Sequence, residues 1–474
     1  MTEYTPQTIH VIDPVIAEYH DEWAVNRAMI AGARMVRAGG EKFLPRLPSV
    51  DVAQHKAIIE RTAFFPGASR THEGLMGLLF RKPPKVDAEE RFLTLLNTIK
   101  ADAGPIEDLA EDVADELLSV NFGLLLTDLP ASSQAMSVAE EEKLGIRPRI
   151  LIYRAEAILG IDVGLVNNRQ QAVNIRLQQD VDTIRELMLV NGVYQVRLWT
   201  RTKVKGNRQS QWLPGPAITP TRLGQAIDEI PATVITLGRR LRPSTAPLTD
   251  VCDLNRSHYH ASANLATCDY WLSNPIPWTT GAKPRDDVAI SPGTMWQFEE
   301  ENAKVGMLEY TGAQAAQLES RANNLRDYMA SAGARILAPE KAAVESGQAL
   351  EIRNAAQTAS LDQVRRTTNR IILDQIQWAA WWAGADETQV VFEMSGDFTS
   401  AKLSSEERKQ IVAEWQAGLY SHEQAIERMV AGGALPEDFD IEADKDRMAM
   451  EAADRPPVDT FSDNQFAVGV ADSM

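Results

Sequence analysis

Apolar residues recur with helical spacing over three long stretches in the second half of the chain. After Pro247, residues Val251, Leu254, His258, Ala261, Leu265, Cys268 and Leu272 lie three or four apart. This spacing predicts a helix of about 24 residues, roughly 36 Å long. Ala315, Leu318, Ala322, Leu325 and Met329 repeat the pattern, with Thr311 and Gln314 set as a capping box before them and an almost wholly polar opposite face. A third helix, from about Glu351 to Trp382, holds Leu361, Val364, Thr368, Ile372, Ile376 and Ala379 in register. At roughly 45 Å it far exceeds the usual length of about 11 to 12 residues. Between the first two helices, 273–310 carries prolines at 275, 277, 284 and 292 and glycines at 281, 293 and 306, which predicts a small β-containing insertion projecting from a helical pair.

The first half reads differently. Glu22 to Arg37 is helical in composition and is closed by Ala38-Gly39-Gly40. Leu44-Pro45-Arg46-Leu47-Pro48 is extended, because a residue before proline avoids the α region. Helices are expected over Val52 to Ala63 and Thr71 to Phe80, separated by a turn at Phe64-Phe65-Pro66-Gly67. Another is expected between Glu107 and Leu118, where Leu109, Val113 and Leu117 recur every four residues. Ile150 to Tyr153, Val173 to Leu177 and Tyr194 to Trp199 are rich in β-forming residues, with turns at Asn167-Asn168, Asn191-Gly192 and Lys205-Gly206-Asn207. One largely antiparallel sheet over 145–237 follows, closed by the basic linker Gly238-Arg239-Arg240-Leu241-Arg242-Pro243.

Composition narrows the function classes. The chain has 474 residues, 44% of them hydrophobic, and a formal net charge of −18. Residues 401–474 hold 7 Lys and Arg against 16 Asp and Glu, a net of −9. They read as acidic helices followed, beyond Arg455-Pro456-Pro457, by a disordered tail. An acidic surface cannot bind nucleic acid by broad phosphate neutralisation, so any DNA contact is local or weak. Cys252 and Cys268 demand no oxidising compartment. The opening Met1 to Pro6 lacks the basic and apolar segments of a signal peptide, and no run reaches the roughly 18 to 20 apolar residues of a membrane span. A protein made in a cytosol, without a membrane partner, is expected.

No phosphate loop, dinucleotide fingerprint or Gly-x-Ser-x-Gly elbow occurs. His72-Glu73 and His422-Glu423 resemble the start of a zinc-protease helix, but Met76 and Ile426 stand four residues on from each His. On one helix His258 and His260 point about 200° apart, and the two cysteines lie roughly 24 Å apart, so these four cannot share an ion. Neither a catalytic residue, nor a metal ligand, nor a cofactor is expected. Arg201, Lys203, Lys205 and Arg208, and likewise Arg239, Arg240 and Arg242, could touch phosphate but are read as solvated turns. Trp378, Trp381 and Trp382 could stack bases but are read as buried against a neighbouring helix.

The order of elements, with a series of short motifs, resembles the tailed-bacteriophage portal proteins. The motifs are Glu22-Trp23 with Arg27 and Gly32, Phe43-Leu44-Pro45-Arg46-Leu47, Arg70-Thr71 through Gly74-Leu75-Met76-Gly77, and Phe80-Arg81-Lys82-Pro83-Pro84. Pro247-Leu248 with Asn255 and His258-Tyr259, Tyr310-Thr311-Gly312, and Gly333-Ala334 continue the series, over about residues 20 to 440. The resemblance implies an α+β, mainly helical subunit: an α/β wing, a helical stem, a small β-containing clip and a helical crown. Residues 1–246 would form the wing region and 247–332 the stem, with the clip at 273–310. The tunnel loop (336–350) and a long wing helix would occupy 333–400, and 401–474 would form the crown and tail.

It further implies a homo-oligomeric ring, typically a dodecamer, at one capsid vertex, through which double-stranded DNA is packaged and ejected. The implied partners are the terminase large subunit, the head–tail adaptor, and the major capsid and scaffolding proteins, in a virion assembled in the host cytoplasm. Lys341 becomes the tunnel-loop candidate for DNA. Leu254, His258, Leu265, Leu318 and Leu325 become candidates for the subunit interface, with Gln317, Asn324 and Asp327 toward water. An acidic bore would repel DNA and let it slide. The competing readings are a cytosolic enzyme without a recognisable motif and another ring-forming head-to-tail connector.

Overall fold

The computed structural model describes residues 3–128, 147–166, 168–203, 210–222, 225–238, 241–273, 276–281, 302, 304–308, 313–337, 347–396, 398, 405–431, 434–435 and 439–453. The fold is mixed α+β, about half helical, with several small antiparallel sheets. Two units divide the chain, Met1–Phe398 and Thr399–Met474.

The first unit begins with helices α1 (Pro14–Ala17), α2 (His20–Ala31), α3 (Ala33–Gly39), α4 (Val52–Arg61) and α5 (Gly67–Leu79). The single helix expected over Glu22 to Arg37 is therefore two. Gly32, at φ 86°, takes a conformation that side chains disfavour and breaks the helix there. The helix expected from Thr71 starts four residues earlier, directly after the Phe65-Pro66 turn. Strand β1 (Lys85–Asp87) and helices α6 (Glu90–Leu96) and α7 (Ile106–Ser119) follow. Leu109, Val113 and Leu117 of α7 are fully buried.

Asn121, at φ 52°, turns the chain from α7 into β2 (Gly123–Asp128). Strand β2 is the centre of a three-stranded antiparallel sheet, between β3 (Arg149–Arg154) and β11 (Ala232–Val234). A five-stranded meander is separate: β4 (Ile158–Val166), β5 (Arg169–Asp180), β6 (Thr183–Val190), β7 (Val193–Lys203) and β8 (Ser210–Pro214). The short pair β9 (Thr221–Arg222) and β10 (Gln225–Ala226) forms its own ribbon. The one sheet expected over 145–237 thus resolves into two sheets and a ribbon. The 3-10 turn Ala155–Ala157, with Ala155 buried, redirects the chain from the first sheet to the second. Asn191 and Gly192, both at positive φ, make the expected hairpin turn between β6 and β7.

Helix α8 (Thr249–Ser273) starts just past Pro247 and leads to an antiparallel ladder of β12 (Ile276–Thr280) and β13 (Lys304–Leu308). Helix α9 (Ala313–Leu337) returns and packs along α8 and α5. Thr311, half of the expected capping box, lies outside the described residues, as does the tail beyond Arg455. Helix α10 (Gly347–Ala383) has 37 residues, so α9 and α10 together leave only 338–346 between them, a shorter connection than the expected 336–350. Leu361, Val364, Thr368, Ile372, Ile376 and Ala379 are all 0–2% exposed. Helix α10 packs on α7 and the three-stranded sheet, and β14 (Val391–Glu393) ends the unit by pairing with β1. Gln375, fully buried on α10, accepts from Thr127 Oγ1 at 2.9 Å and donates to Thr233 Oγ1 at 2.9 Å, which fixes the helix's register on β2 and β11.

The second unit contains α11 (Ser405–Gln416), α12 (His422–Ala431) and α13 (Ile441–Ala453). Ile411, Ala425 and Ile426 supply its buried apolar residues.

Candidate functional site

Helices α5, α8 and α9 meet at a junction built from small and polar residues. Pro66 precedes α5 and offers no side-chain cap, so the first amides of the helix need outside acceptors. Asn255 of α8, fully buried, supplies one: its Oδ1 accepts from Ala68 N at 2.9 Å, and its Nδ2 donates to Phe65 O at 3.0 Å. A Cβ at Gly67 would stand 2.9 Å from Met329 Sδ, and one at Gly333 would stand 2.8 Å from Thr71 Oγ1. The helices approach closely there because those two positions lack side chains.

His258 is 2% exposed, with its ring 5.6 Å from that of Phe65 and its Nδ1 3.4 Å from Ser262 Oγ. Burial, and then the charge of Arg326, hold its pKa below the usual histidine value. The guanidinium carbons of Arg326 and Arg70 lie 5.1 and 5.5 Å from the centre of the Phe65 ring. Residues far apart in the sequence motifs, Arg70, Thr71, Asn255, His258 and Gly333, are therefore neighbours in one junction. His260 turns elsewhere, with Nε2 2.6 Å from Phe43 O, and Cys252 is buried with Sγ 3.9 Å from Asn26 O. Among the described residues no cluster of three or more His, Cys, Asp or Glu is arranged to hold a metal ion.

A second cluster joins α2, α5, α7 and the end of β3. Arg27 Nη2 donates to both oxygens of Glu116, at 2.8 and 3.0 Å, and its Nε reaches Glu156 at 2.6 Å. Arg154 Nε lies 3.4 Å from Glu116, and His72 Nε2 lies 2.8 Å from Asp115. Burial pushes the Glu116 carboxyl up to about 7, against the opposing pull of Arg27. Burial acts the same way on Glu156 and Asp115, but Arg27 and His72 respectively outweigh it and hold both below the ordinary carboxylate range. Arg27 joins Glu116 and Glu156 across three elements, which is the chemistry of a fastening. No motif in the sequence singles out Glu116. Its place three residues after Val113 and seven after Leu109, within the apolar stripe of α7, was the signal that marks it.

The other expected site residues are spread out. Leu254, Leu265, Leu318 and Leu325 are half-buried and belong to none of the three core clusters. Gln317, Asn324 and Asp327 are exposed. His258, by contrast, is covered within its own chain. Lys341 lies outside the described residues, as do Lys205, Arg208, Arg239 and Arg240. Arg201 Nε donates to Ser210 Oγ at 2.6 Å. Trp378, Trp381 and Trp382 are half-buried against a core cluster built largely from strand residues together with Ile16 and Trp23 of the first helices, and Arg222 covers the ring of Trp381 at 4.4 Å. No described helix is long and apolar enough to cross a membrane.

A family model described as "Domain of unknown function (DUF4055)" matches residues 247–383, which spans α8, the β12–β13 ladder, α9 and α10. No curated protein matches the chain. Among solved structures, a chain from "Neck of empty GTA particle computed with C6 symmetry" shares 14% identity at a TM-score of 0.41, covering 79% of this chain and 92% of the other. One from "Neck of native GTA particle computed with C12 symmetry" gives 13% and 0.39, with 84% and 99% covered. One from "Virion of native gene transfer agent (GTA) particle" gives 13% and 0.40, with 85% and 99% covered. Likeness this remote carries no function across.

Proposed function

We propose that the chain is the subunit of a portal-type ring, a structural and non-enzymatic component of a phage-like particle. Copies of the chain close head to tail, about twelve to a ring, around a bore that double-stranded DNA enters during packaging and leaves on ejection. The observation that carries this reading is the unit formed by α8, the β12–β13 ladder and α9, followed directly by the 37-residue α10. Helix α9 presents one narrow covered stripe, Ala315, Leu318, Ala322, Leu325 and Met329, and is otherwise exposed along its described length up to Ser331. A helix built that way suits the wall between a packed subunit and a water-filled bore.

In this reading 247–332 is the stem, 273–310 the clip that meets the terminase large subunit and later the adaptor, 1–246 the wing and 401–474 the crown. Neighbouring subunits cover what remains open of Leu254, Leu265, Leu318 and Leu325. His258, buried within its own chain, takes no part. Lys341, in the short connection between α9 and α10, faces DNA. Capsid and scaffolding proteins contact the ring from outside, in a virion assembled in the host cytoplasm. Electron micrographs of the purified protein test the reading. End-on views should show rotationally symmetric rings with an open centre, and solid particles without one would overturn it.

A further inference from the structure

Residues 4–13 lie on the five-stranded sheet without joining it as a strand. They fold into their own turns, with Ile9 N donating to Thr5 O and Val11 N to Thr8 O. Among the described residues, Asp13 N to Leu159 O, at 2.7 Å, is the backbone-to-backbone bond that ties them to the sheet.

Arg176 of β5 supplies most of the remaining attachment. The residue is 4% exposed, and its Nη1 donates to Val11 O at 2.6 Å and Ile9 O at 3.0 Å, with Thr8 O at 3.3 Å. Its Nη2 reaches Leu159 O at 3.4 Å. The ring of Tyr4 lies 4.1 Å over the guanidinium, and the Tyr4 hydroxyl is 3.0 Å from both oxygens of Asp162. Carbonyl dipoles and a ring face, rather than the usual paired carboxylate, surround this buried charge. Gly160 makes room for it: a Cβ there would stand 2.3 Å from Arg176 Nη2. Ile9, fully buried, completes a small apolar cluster with Leu159, Ile184, Trp199 and Trp212 that is separate from the two larger cores. On one side a groove of about 910 Å³, lined in part by Pro6, His10, Ile12, Gln178 and Trp212, runs between the segment and the sheet, and the His10 and Trp212 rings stack 6.3 Å apart beside it.

We propose that residues 4–13 form a strap latched by Arg176, which opens as a unit while the sheet beneath stays folded, uncovering an apolar trough of Leu159, Ile184, Trp199 and Trp212. The polar groups of that attachment, the backbone carbonyls and the Arg176 guanidinium, are ones that water can satisfy on release. The sheet's own ladder, β4-β5-β6-β7-β8, runs from strand to strand without passing through residues 4–13, so it does not depend on them. The inference is independent of the portal reading.

Hydrogen exchange on the full chain, read by mass spectrometry, tests it. In Arg176→Met the amides of residues 5–13 should exchange at least tenfold faster than in the wild type, while peptides covering β5 to β7 keep their rates. Arg176→Lys, which keeps the charge but loses the fork, should fall between. Gly160→Ala, which displaces the guanidinium with Arg176 still present, should loosen the strap as Arg176→Met does. Strap rates unchanged in both Arg176→Met and Gly160→Ala would overturn the proposal. If Arg176→Met loosens the sheet as well, Gly160→Ala decides by the same criterion, and strap and sheet loosening together there would also overturn it.

Discussion

Asn255 caps a helix that cannot cap itself. Its fully buried side chain meets an amide and a carbonyl across 187 and 190 residues of sequence. Asn255→Ala leaves the buried Ala68 amide unpaired, while Phe65 O keeps its bond from Gly67 N, and should cost about 1–3 kcal/mol in chemical denaturation. A loss well below about 1 kcal/mol would mean that water takes over the Ala68 amide. Glu156 gives a pH test. Its carboxyl is held low in the fold by Arg27, against burial, relative to an unfolded value of roughly 4.3. The stability it adds is therefore present above that value and lost as pH falls through the folded one. The melting temperature of the wild type should drop between pH 5 and 3, and that of Glu156→Gln should drop less; parallel profiles would contradict the assignment. At this scale the sequence showed only part of the picture. Asn255, His258 and Gly333 stood in recognisable motifs, but nothing in their spacing told that they converge on Phe65 and Thr71. Arg176 was visible only as a residue in a strand, because the carbonyls it holds, those of residues 8, 9 and 11, lie more than 160 positions away.

Long periodic elements were the most legible. The stripe of α10 was read from spacing alone and is buried at every predicted position, because 37 residues average out local ambiguity. Strand β2 was missed for the opposite reason. Gly123-Leu124-Leu125-Leu126 is covered on both faces, as the central strand of its sheet, and so shows no alternation. The Gly32 break was missed because a single glycine within a helical composition is often tolerated. The paired stripes of α8 and α9 were legible as helices but not in what they cover: they pack on each other and on α5 within the chain. Under the portal reading, only the open parts of their leucines remain for a neighbour. Leu318→Asp or Leu325→Asp should therefore abolish rings while far-ultraviolet circular dichroism stays unchanged, since a charge at a half-buried position can stay hydrated in the monomer but not in a closed interface. Rings of normal size from either variant would contradict that assignment of faces.

For the whole molecule, charge and architecture point the same way. Under the portal reading, a net charge of −18, half of it in the last 74 residues, suits a conduit that lets DNA slide past rather than one that grips it. The chain order of long helix, small ladder, long helix and longer helix was legible in advance. The division of the middle region into two sheets was not, because the turn that makes it, Ala155–Ala157, carries neither glycine nor proline. The claim on which the account rests is that copies of this chain close on one another around a hollow. The mass of the purified protein under native conditions tests it most directly. The account predicts one dominant species of roughly twelve subunit masses. A single species at the 52.4 kDa of one subunit, at every concentration tried, would contradict it.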